Sequence, residues 1–272
     1  MSDRRHALIT GGSSGIGLAT AHLLAQRGWR VSLLARDRAR LEAAARGLGA
    51  ASGAGDVARV FPVDVAERAD CAGAVHAAIA QSGAPDLVLA CAGVARPGHF
   101  DEIPDADFER AMAVNYFGVL NTVRPALEAM KRKGGGSIVL VSSGAGLIGI
   151  FGYSAYAPSK FAVRGLAEVL RGELAPCGIR VSVVYPPDTQ TPQLEEENRF
   201  KPAQTRAITS GGGVLSAQAV ARAIVEGVEH GRFVIAPGPR MRLLAAWHSV
   251  LAPLLHRSFD RAARRAARSP QA

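Results

Sequence analysis

A chain of 272 residues is long enough to bury a substantial core, as one large α/β domain or two small ones. Its 48% hydrophobic and 20% charged residues match a globular enzyme and exclude an extended disordered protein. The net charge of +9 is concentrated at one end, because Pro237 to Ala272 carries seven arginines against the single acid Asp260. The rest of the chain is only mildly basic, which argues against a nucleic-acid partner. Cys71, Cys91 and Cys177 are odd in number and lack metal-ligand spacing, so they read as reduced thiols of a cytoplasmic protein without a metal site. Met1 to Arg5 are polar and charged and lead straight into a strand, so no signal peptide or membrane span is expected ahead of the fold.

Short β-branched runs then alternate with helical patterns, the order expected of βαβ units around a parallel sheet. The first strand, Ala7–Thr10, enters Thr10-Gly11-Gly12-Ser13-Ser14-Gly15-Ile16-Gly17 and a helix over Gly15–Arg27. Gly11, Gly15 and Gly17 permit a tight turn and a close backbone approach to a pyrophosphate, while the helix start supplies free N–H groups and a positive dipole end. Ser13 and Ser14 add hydroxyls. A plain turn has the same glycines; the position between a strand and an amphipathic helix marks Gly11, Ser13, Ser14, Gly15, Ile16 and Gly17 as a dinucleotide cradle.

The second strand, Val31–Leu34, ends in Ala35-Arg36-Asp37. An acid at this tip holds the ribose 2′-hydroxyl of NAD, whereas an arginine suits a 2′-phosphate. Ala35 holds the usual acid position, Arg36 follows it and Arg40 lies one turn further along, a pattern that favours NADP(H). Asp37 remains a candidate ribose partner, and both arginines also suit a solvated helix start.

A helix over Arg38–Leu48, a small connection at Gly49–Gly55, a strand at Val57–Val63, a helix at Ala69–Gln81 and a strand at Leu87–Ala90 follow. Asp105–Lys133 reads as one long helix and Ile138–Ser142 as the fifth strand. Beyond a helix over Tyr156–Ala175 come a strand at Val181–Tyr185, a helix at Ala217–His230 and a strand at Phe233–Ile235. Together these give a single doubly wound Rossmann domain with a seven-stranded parallel sheet over residues 1–236. Pro186 to Gly213 lacks periodicity, as lids and binding loops do, and the lid is set at about 186–215, with Gly211–Gly213 as its hinge. Residues 237–272 form a basic, amphipathic, helical C-terminal extension. Its Leu243, Leu244, Trp247, Val250, Leu251, Leu254 and Leu255 make one apolar stripe interrupted by Pro253, too short to span a bilayer. A peripheral contact with an anionic membrane and packing on the domain or a second subunit are equally open.

Tyr156-Ala157-Pro158-Ser159-Lys160 places a phenol and an ammonium on one helix face at i and i+4. A free tyrosine, with a pKa of about 10, exchanges protons poorly at neutral pH, and a neighbouring cation favours its phenolate. Ser143, at the end of the fifth strand, can hydrogen-bond a carbonyl held against that tyrosine. Tyr153, three residues earlier, has no lysine four residues on and reads as a decoy. A lone YxxxK is weak; glycine turn, strand-end serine and YxxxK together are a strong signal.

With these motifs the chain resembles the classical short-chain dehydrogenase/reductase family from Ala7 to about Ile235. The resemblance implies a catalytic set of Asn115, Ser143, Tyr156 and Lys160. Tyr156 would be the general acid, Ser143 would polarise the carbonyl, Lys160 would lower the tyrosine pKa and bind the nicotinamide ribose, and Asn115 would hold a relay water. It also implies adenine contacts at Asp64 and Val65, passage of the cofactor beside Ala92 and Gly93, and a homo-oligomer, dimer or tetramer, built through the two long helices. The family's Asn-Asn-Ala-Gly is here Ala90-Cys91-Ala92-Gly93, which loses a sheet-stabilising asparagine. Within the family, Gly149–Ala162 and Tyr185-Pro186-Pro187-Asp188-Thr189-Gln190-Thr191-Pro192 resemble the 3-ketodihydrosphingosine reductase group. That resemblance implies a long-chain lipid ketone reduced with NADPH, Thr189 and Thr191 near the nicotinamide, and a place in the cytoplasm or on the cytoplasmic face of a membrane. A reductase of another lipophilic carbonyl (3-oxoacyl thioester, steroid or retinoid) and a non-catalytic nucleotide-binding scaffold are the alternatives.

Overall fold

The computed structural model describes residues 4–52, 57–209 and 213–268. Its main sheet has seven strands in the order β3-β2-β1-β4-β5-β6-β9. The strands are β1 (His6–Thr10), β2 (Arg30–Ala35), β3 (Ala58–Pro62), β4 (Leu87–Ala90), β5 (Gly136–Val141), β6 (Ile179–Val184) and β9 (Val234–Ile235), and every pairing is parallel. All of β1 and β4 is buried, as expected of strands covered on both faces. Helices α1 (Gly15–Gln26), α2 (Arg38–Ser52) and α9 (Ala217–Glu229) close one core around Ile9, Leu33 and Leu89. Helices α3 (Arg68–Ser82), α5 (Gly118–Lys133) and α6 (Tyr156–Leu174) close the other around Leu8, Val88 and Leu140. The chain reverses its winding between β1 and β4, so a crevice opens at their carboxyl ends.

Four expectations need correction. The helix after β2 runs on to Ser52, since the alanines around Gly47 and Gly49 sustain it; residues 53–55 of the expected connection lie outside the described residues. Asp105–Lys133 is not one regular helix. It comprises α4 (Asp105–Met112), a π turn over Ala113–Phe117 and α5, and the wide turn contains Asn115.

The stretch after β6 is ordered. Here β7 (Asp188–Gln190) pairs in parallel with β8 (Val214–Ser216), with α7 (Pro192–Phe200) and α8 (Ala203–Thr209) between them. Gly213 has φ +76°, while the other two residues of the expected hinge, 211 and 212, lie outside the described residues. Finally, α10 (Pro239–Arg268) passes Pro253 without a break. Pro253 is exposed, so the carbonyl left without its N–H partner faces water. Among the described residues no helix is long and apolar enough to cross a membrane.

At the start of β1 the buried His6 ring bonds the Gly83 carbonyl through Nδ1 (2.8 Å) and the Ser32 hydroxyl through Nε2 (2.8 Å). A carbonyl only accepts, so Nδ1 carries the proton and Nε2 accepts from Ser32. Burial holds the pKa down at about 4, against an ordinary 6.5. The unfolded chain therefore binds a proton below pH 6.5 that the native ring refuses until about pH 4. Stability from His6 is complete above that window and is lost as pH falls through it, on the order of 3 kcal/mol. Urea unfolding of wild type and His6→Asn at several pH values should show the variant losing less stability across the window; identical slopes would place the loss elsewhere.

Candidate active site

The turn after β1 is shaped by contacts that exclude side chains. A Cβ at Gly17 would lie 2.4 Å from the Gly11 carbonyl oxygen, and one at Gly11 would lie 3.0 Å from the Ala92 backbone. Gly11 and Gly15 have φ of +67° and +54°, open only to glycine at little cost. Ser14 precedes α1 with no side-chain cap bond, and the first turn of α1 carries no acid. Backbone N–H groups and a positive helix end thus face the crevice, which fits a pyrophosphate. The missing family asparagine is offset by Thr10, whose hydroxyl accepts from the N–H groups of Cys91 (3.2 Å) and Ala92 (3.4 Å).

One cavity of about 640 Å³ gathers most of the anticipated residues: Gly11, Ser14, Gly15, Ile16, Gly17, Ala92, Gly93, Ser143, Tyr156, Lys160, Thr189 and Thr191 all line it. Ser13, Arg36, Arg40, Asp64, Val65 and Asn115 do not. Arg36 is exposed at the end of β2. Asp37 is already engaged: it accepts from the Arg40 N–H (3.0 Å) at the start of α2 and pairs with the Arg40 guanidinium (3.4 Å). Of the two arginines, then, Arg40 already has a carboxylate partner. Asp64 accepts from the Ala66 N–H (3.0 Å) and pairs with Arg110 (2.7 Å). Burial raises its pKa, but the Ala66 and Arg110 bonds outweigh that, and the carboxyl sits below the ordinary value. Val65 is buried and would touch any Cβ at Gly118, 2.6 Å away.

The catalytic candidates meet where α6 abuts the end of β5. Lys160 is buried, and its Nζ donates to the Val141 carbonyl (3.0 Å) and lies 5.6 Å from the Tyr156 ring centroid. Ser142 donates to the Lys160 carbonyl (2.8 Å), while Ser143 accepts from the Ala145 N–H (3.2 Å) and also lines the cavity. Burial brings Lys160 down to about 8. The Tyr156 phenol moves the opposite way from expectation. Burial, then the nearby Glu197 charge, push its pKa up, and the Ser143 hydrogen bond only partly opposes them. The direction of the shift favours the neutral, proton-donating phenol.

The Asn115 side chain is fully engaged within the protein. Its Oδ1 accepts from the Val94 N–H (2.8 Å), and its Nδ2 donates to the Val94 carbonyl (2.9 Å) and the Ser159 hydroxyl (2.9 Å). The carboxamide ties the loop after β4 to the first turn of α6. Thr189 donates to the Pro187 carbonyl (2.8 Å), and Thr191 donates to the Thr189 carbonyl (3.1 Å) while accepting from the Leu194 N–H (3.2 Å) at the start of α7. Tyr153, read as a decoy, belongs to the site. It is buried, its ring lies 5.4 Å from that of Tyr156, and its hydroxyl donates to Glu197 (2.9 Å). Thr191-Pro192, a capping residue before a proline, is a readable sign of the helix bearing Glu197.

Apolar side chains also line the cavity, among them Ile148, Ile150, Leu194, Ile208 and Met241. Helix α10 packs on α8 and presents Leu244, Leu251, Leu255 and Phe259 to the same space. The expected single stripe therefore divides in two. Leu243, although it touches the cavity, is 57% exposed, and Trp247, Val250 and Leu254 are 55%, 68% and 62% exposed.

The chain matches the short chain dehydrogenase family over residues 5–202. It is 39% identical to a 3-dehydrosphinganine reductase of Danio rerio, over 92% of this chain and 76% of that one. It is 37% identical to a 3-ketodihydrosphingosine reductase of Dictyostelium discoideum, over 94% of this chain and 81% of that one. Among solved structures, an alcohol dehydrogenase from the archaeon Thermococcus sibiricus, complexed with 5-hydroxy-NADP, superposes with a TM-score of 0.71 at 27% identity, covering 82% of this chain and 89% of that one. The sheet order agrees with these likenesses, and the chain belongs to the short-chain dehydrogenase/reductase family of oxidoreductases.

Proposed function

We propose that this protein reduces the C3 ketone of 3-ketodihydrosphingosine to dihydrosphingosine with NADPH. The observation that carries the reading is the lining of the cavity: Tyr156 and the glycine cradle share it with a set of apolar side chains that includes those of α8 and α10. A substrate with a small polar head and a long alkyl tail matches both parts of that lining, and the two curated relatives carry the name of that activity. At about 0.8 kcal/mol per buried methylene, half such a tail outweighs the polar contacts of the head.

The glycine cradle would hold NADPH, which would supply a hydride to the carbonyl carbon. The chain's own groups do the rest. Ser143 and Tyr156 hold the carbonyl oxygen, Tyr156 gives it a proton, and Lys160, fixed by Val141, faces the ribose. Thr189 and Thr191, with their hydrogens committed to backbone carbonyls, are left as acceptors for the nicotinamide amide. Arg36 would read the 2′-phosphate. Asn115 acts by positioning the first turn of α6.

The exposed sector of α10 supports a peripheral membrane contact. Leu243, Trp247, Val250 and Leu254 recur on one side, and the exposed Arg257 and Arg261 continue it. An apolar surface followed by arginines suits the interface of an anionic bilayer, and it adjoins the cavity a lipid would enter. On this reading the protein works at the cytoplasmic face of a membrane. Phe117 in the π turn before α5, 50% exposed, and Phe161 on α6, 41% exposed, support a homo-oligomer formed through this face.

NADPH oxidation against long-chain 3-ketones tests the substrate: 3-ketodihydrosphingosine should turn over fastest, and reduction of steroids or 3-oxoacyl thioesters but not of this ketone would refute the reading. In that assay Tyr156→Phe should lower kcat by at least about 100-fold while NADPH still binds; retention of a tenth of the activity would remove Tyr156 as the acid. Arg36→Ala should raise the Kd for NADPH by roughly 10-fold or more and leave NADH nearly unaffected, as titrations of intrinsic fluorescence would report. Co-sedimentation with anionic liposomes at low salt should be lost in Trp247→Ser/Leu254→Ser; binding that survives both substitutions would assign the membrane contact to another surface.

A further inference from the structure

We infer that the Glu197 carboxylate receives the ammonium group of the substrate, and so makes the enzyme select a 2-amino ketone over a neutral ketone of the same length. The inference rests on the reading above and adds a specificity residue to it. The run Glu195-Glu196-Glu197 lies on α7, and only Glu197 points inward: it is 7% exposed and lines the cavity, whereas Glu195 and Glu196 are exposed and Glu196 pairs with Arg199 (3.0 Å).

A buried carboxylate normally has a cation in contact with it, because desolvation is otherwise uncompensated. The direct partners of Glu197 are both neutral. Gln193 Nε2 donates to Oε1 (2.8 Å), and Tyr153 Oη donates to Oε2 (2.9 Å). Two lysines lie within electrostatic reach and both are committed elsewhere: Lys201 Nζ pairs with Asp188 (2.9 Å), and Lys160 Nζ bonds the Val141 carbonyl (3.0 Å). Asp188, the other acid of the cavity, is thus already neutralised. Burial pushes the Glu197 pKa up, against the pull of Gln193, Tyr153 and Lys201. A cationic ligand would remove that penalty.

The position of the carboxylate agrees with the chemistry. In a 2-amino-3-ketone the nitrogen sits on the carbon next to the carbonyl, so an ammonium must bind close to the group that grips the carbonyl oxygen. Glu197 is one side chain away from Tyr156, through Tyr153, and is the leading charge acting on the Tyr156 phenol. An amine beside a carbonyl resembles a peptide α-amino group, with a pKa of about 7.7–8.0, and is mostly protonated at neutral pH. Pairing with Glu197 orients the ketone and holds a positive charge beside the oxygen as negative charge develops there.

The test compares kcat/KM with NADPH at pH 7 for two long-chain ketones that differ only at C2, one bearing an amine and the other a hydroxyl. Wild type should favour the amine. In Glu197→Gln, which keeps the shape of the side chain, the amine-to-hydroxyl ratio should fall by about 30-fold or more, mainly through KM, and Glu197→Asp should restore part of it. Thermal unfolding and NADPH binding identify a variant that has failed to fold. Tyr153→Phe keeps the carboxylate and should keep most of the ratio, whereas a Glu197-Tyr153-Tyr156 proton relay would cost both substrates alike. An unchanged ratio in Glu197→Gln, or equal losses on both ketones, would overturn the inference. Wild type that reduces both ketones equally would overturn it while leaving the reductase reading intact; wild type that reduces neither would end both.

Discussion

The site depends on the way the first turn of α6 is fastened to the end of β5. Lys160 reaches back to the Val141 carbonyl, Ser142 bonds the Lys160 carbonyl, and Asn115 holds Ser159 from a third direction. A Cβ at Gly146 would lie 2.3 Å from the Ser142 hydroxyl and 2.8 Å from the Lys160 carbonyl oxygen, so the approach leaves no room for a side chain. Each bond is internal, so the orientation of Tyr156 does not await a ligand. The same fastening explains why Lys160 is buried and why its proton is held less tightly than in water.

Much of this frame was legible in the residues, for a physical reason. Parallel strands covered on both faces must be short and apolar, and the links between them must turn where a dinucleotide lies, so β1, β4 and the glycine turn announced themselves. Regular patterns failed where local geometry is set by tertiary contact. The π turn at Asn115 differs from an α-helix by one extra residue in a single turn, which leaves the apolar spacing of Asp105–Lys133 nearly unchanged. Strands β7 and β8 have three residues each, too few to show a period. Pro253 looked like an interruption because sequence alone does not reveal that its orphaned carbonyl faces solvent.

The side chains around Tyr156 divide in the same way. Ser143 and Lys160 could be placed because their spacing from secondary structure fixes their direction. Tyr153 was set aside for lacking a lysine partner, while its true partner, Glu197, lies 44 residues further on. Burial and the Glu197 charge, rather than Lys160, lead the influences on the phenol. Electrostatics here follows from packing, and packing across a lid is the part that a linear pattern carries least well.

The centre of the sheet also sets an order on assembly. His6 completes its hydrogen bonds only when Ser32 and Gly83 have both arrived, and its backbone N–H bonds Asp86, 80 residues away (2.8 Å). A nascent chain made at about 5–20 residues per second therefore carries β1 with its β4 edge unpaired for on the order of 5–15 seconds before β4 emerges. The strand that organises the finished sheet is the one left waiting longest during synthesis. Contacts of such long range make folding slow, and over that interval the segment His6–Thr10 offers a free edge to chaperones or to other nascent chains.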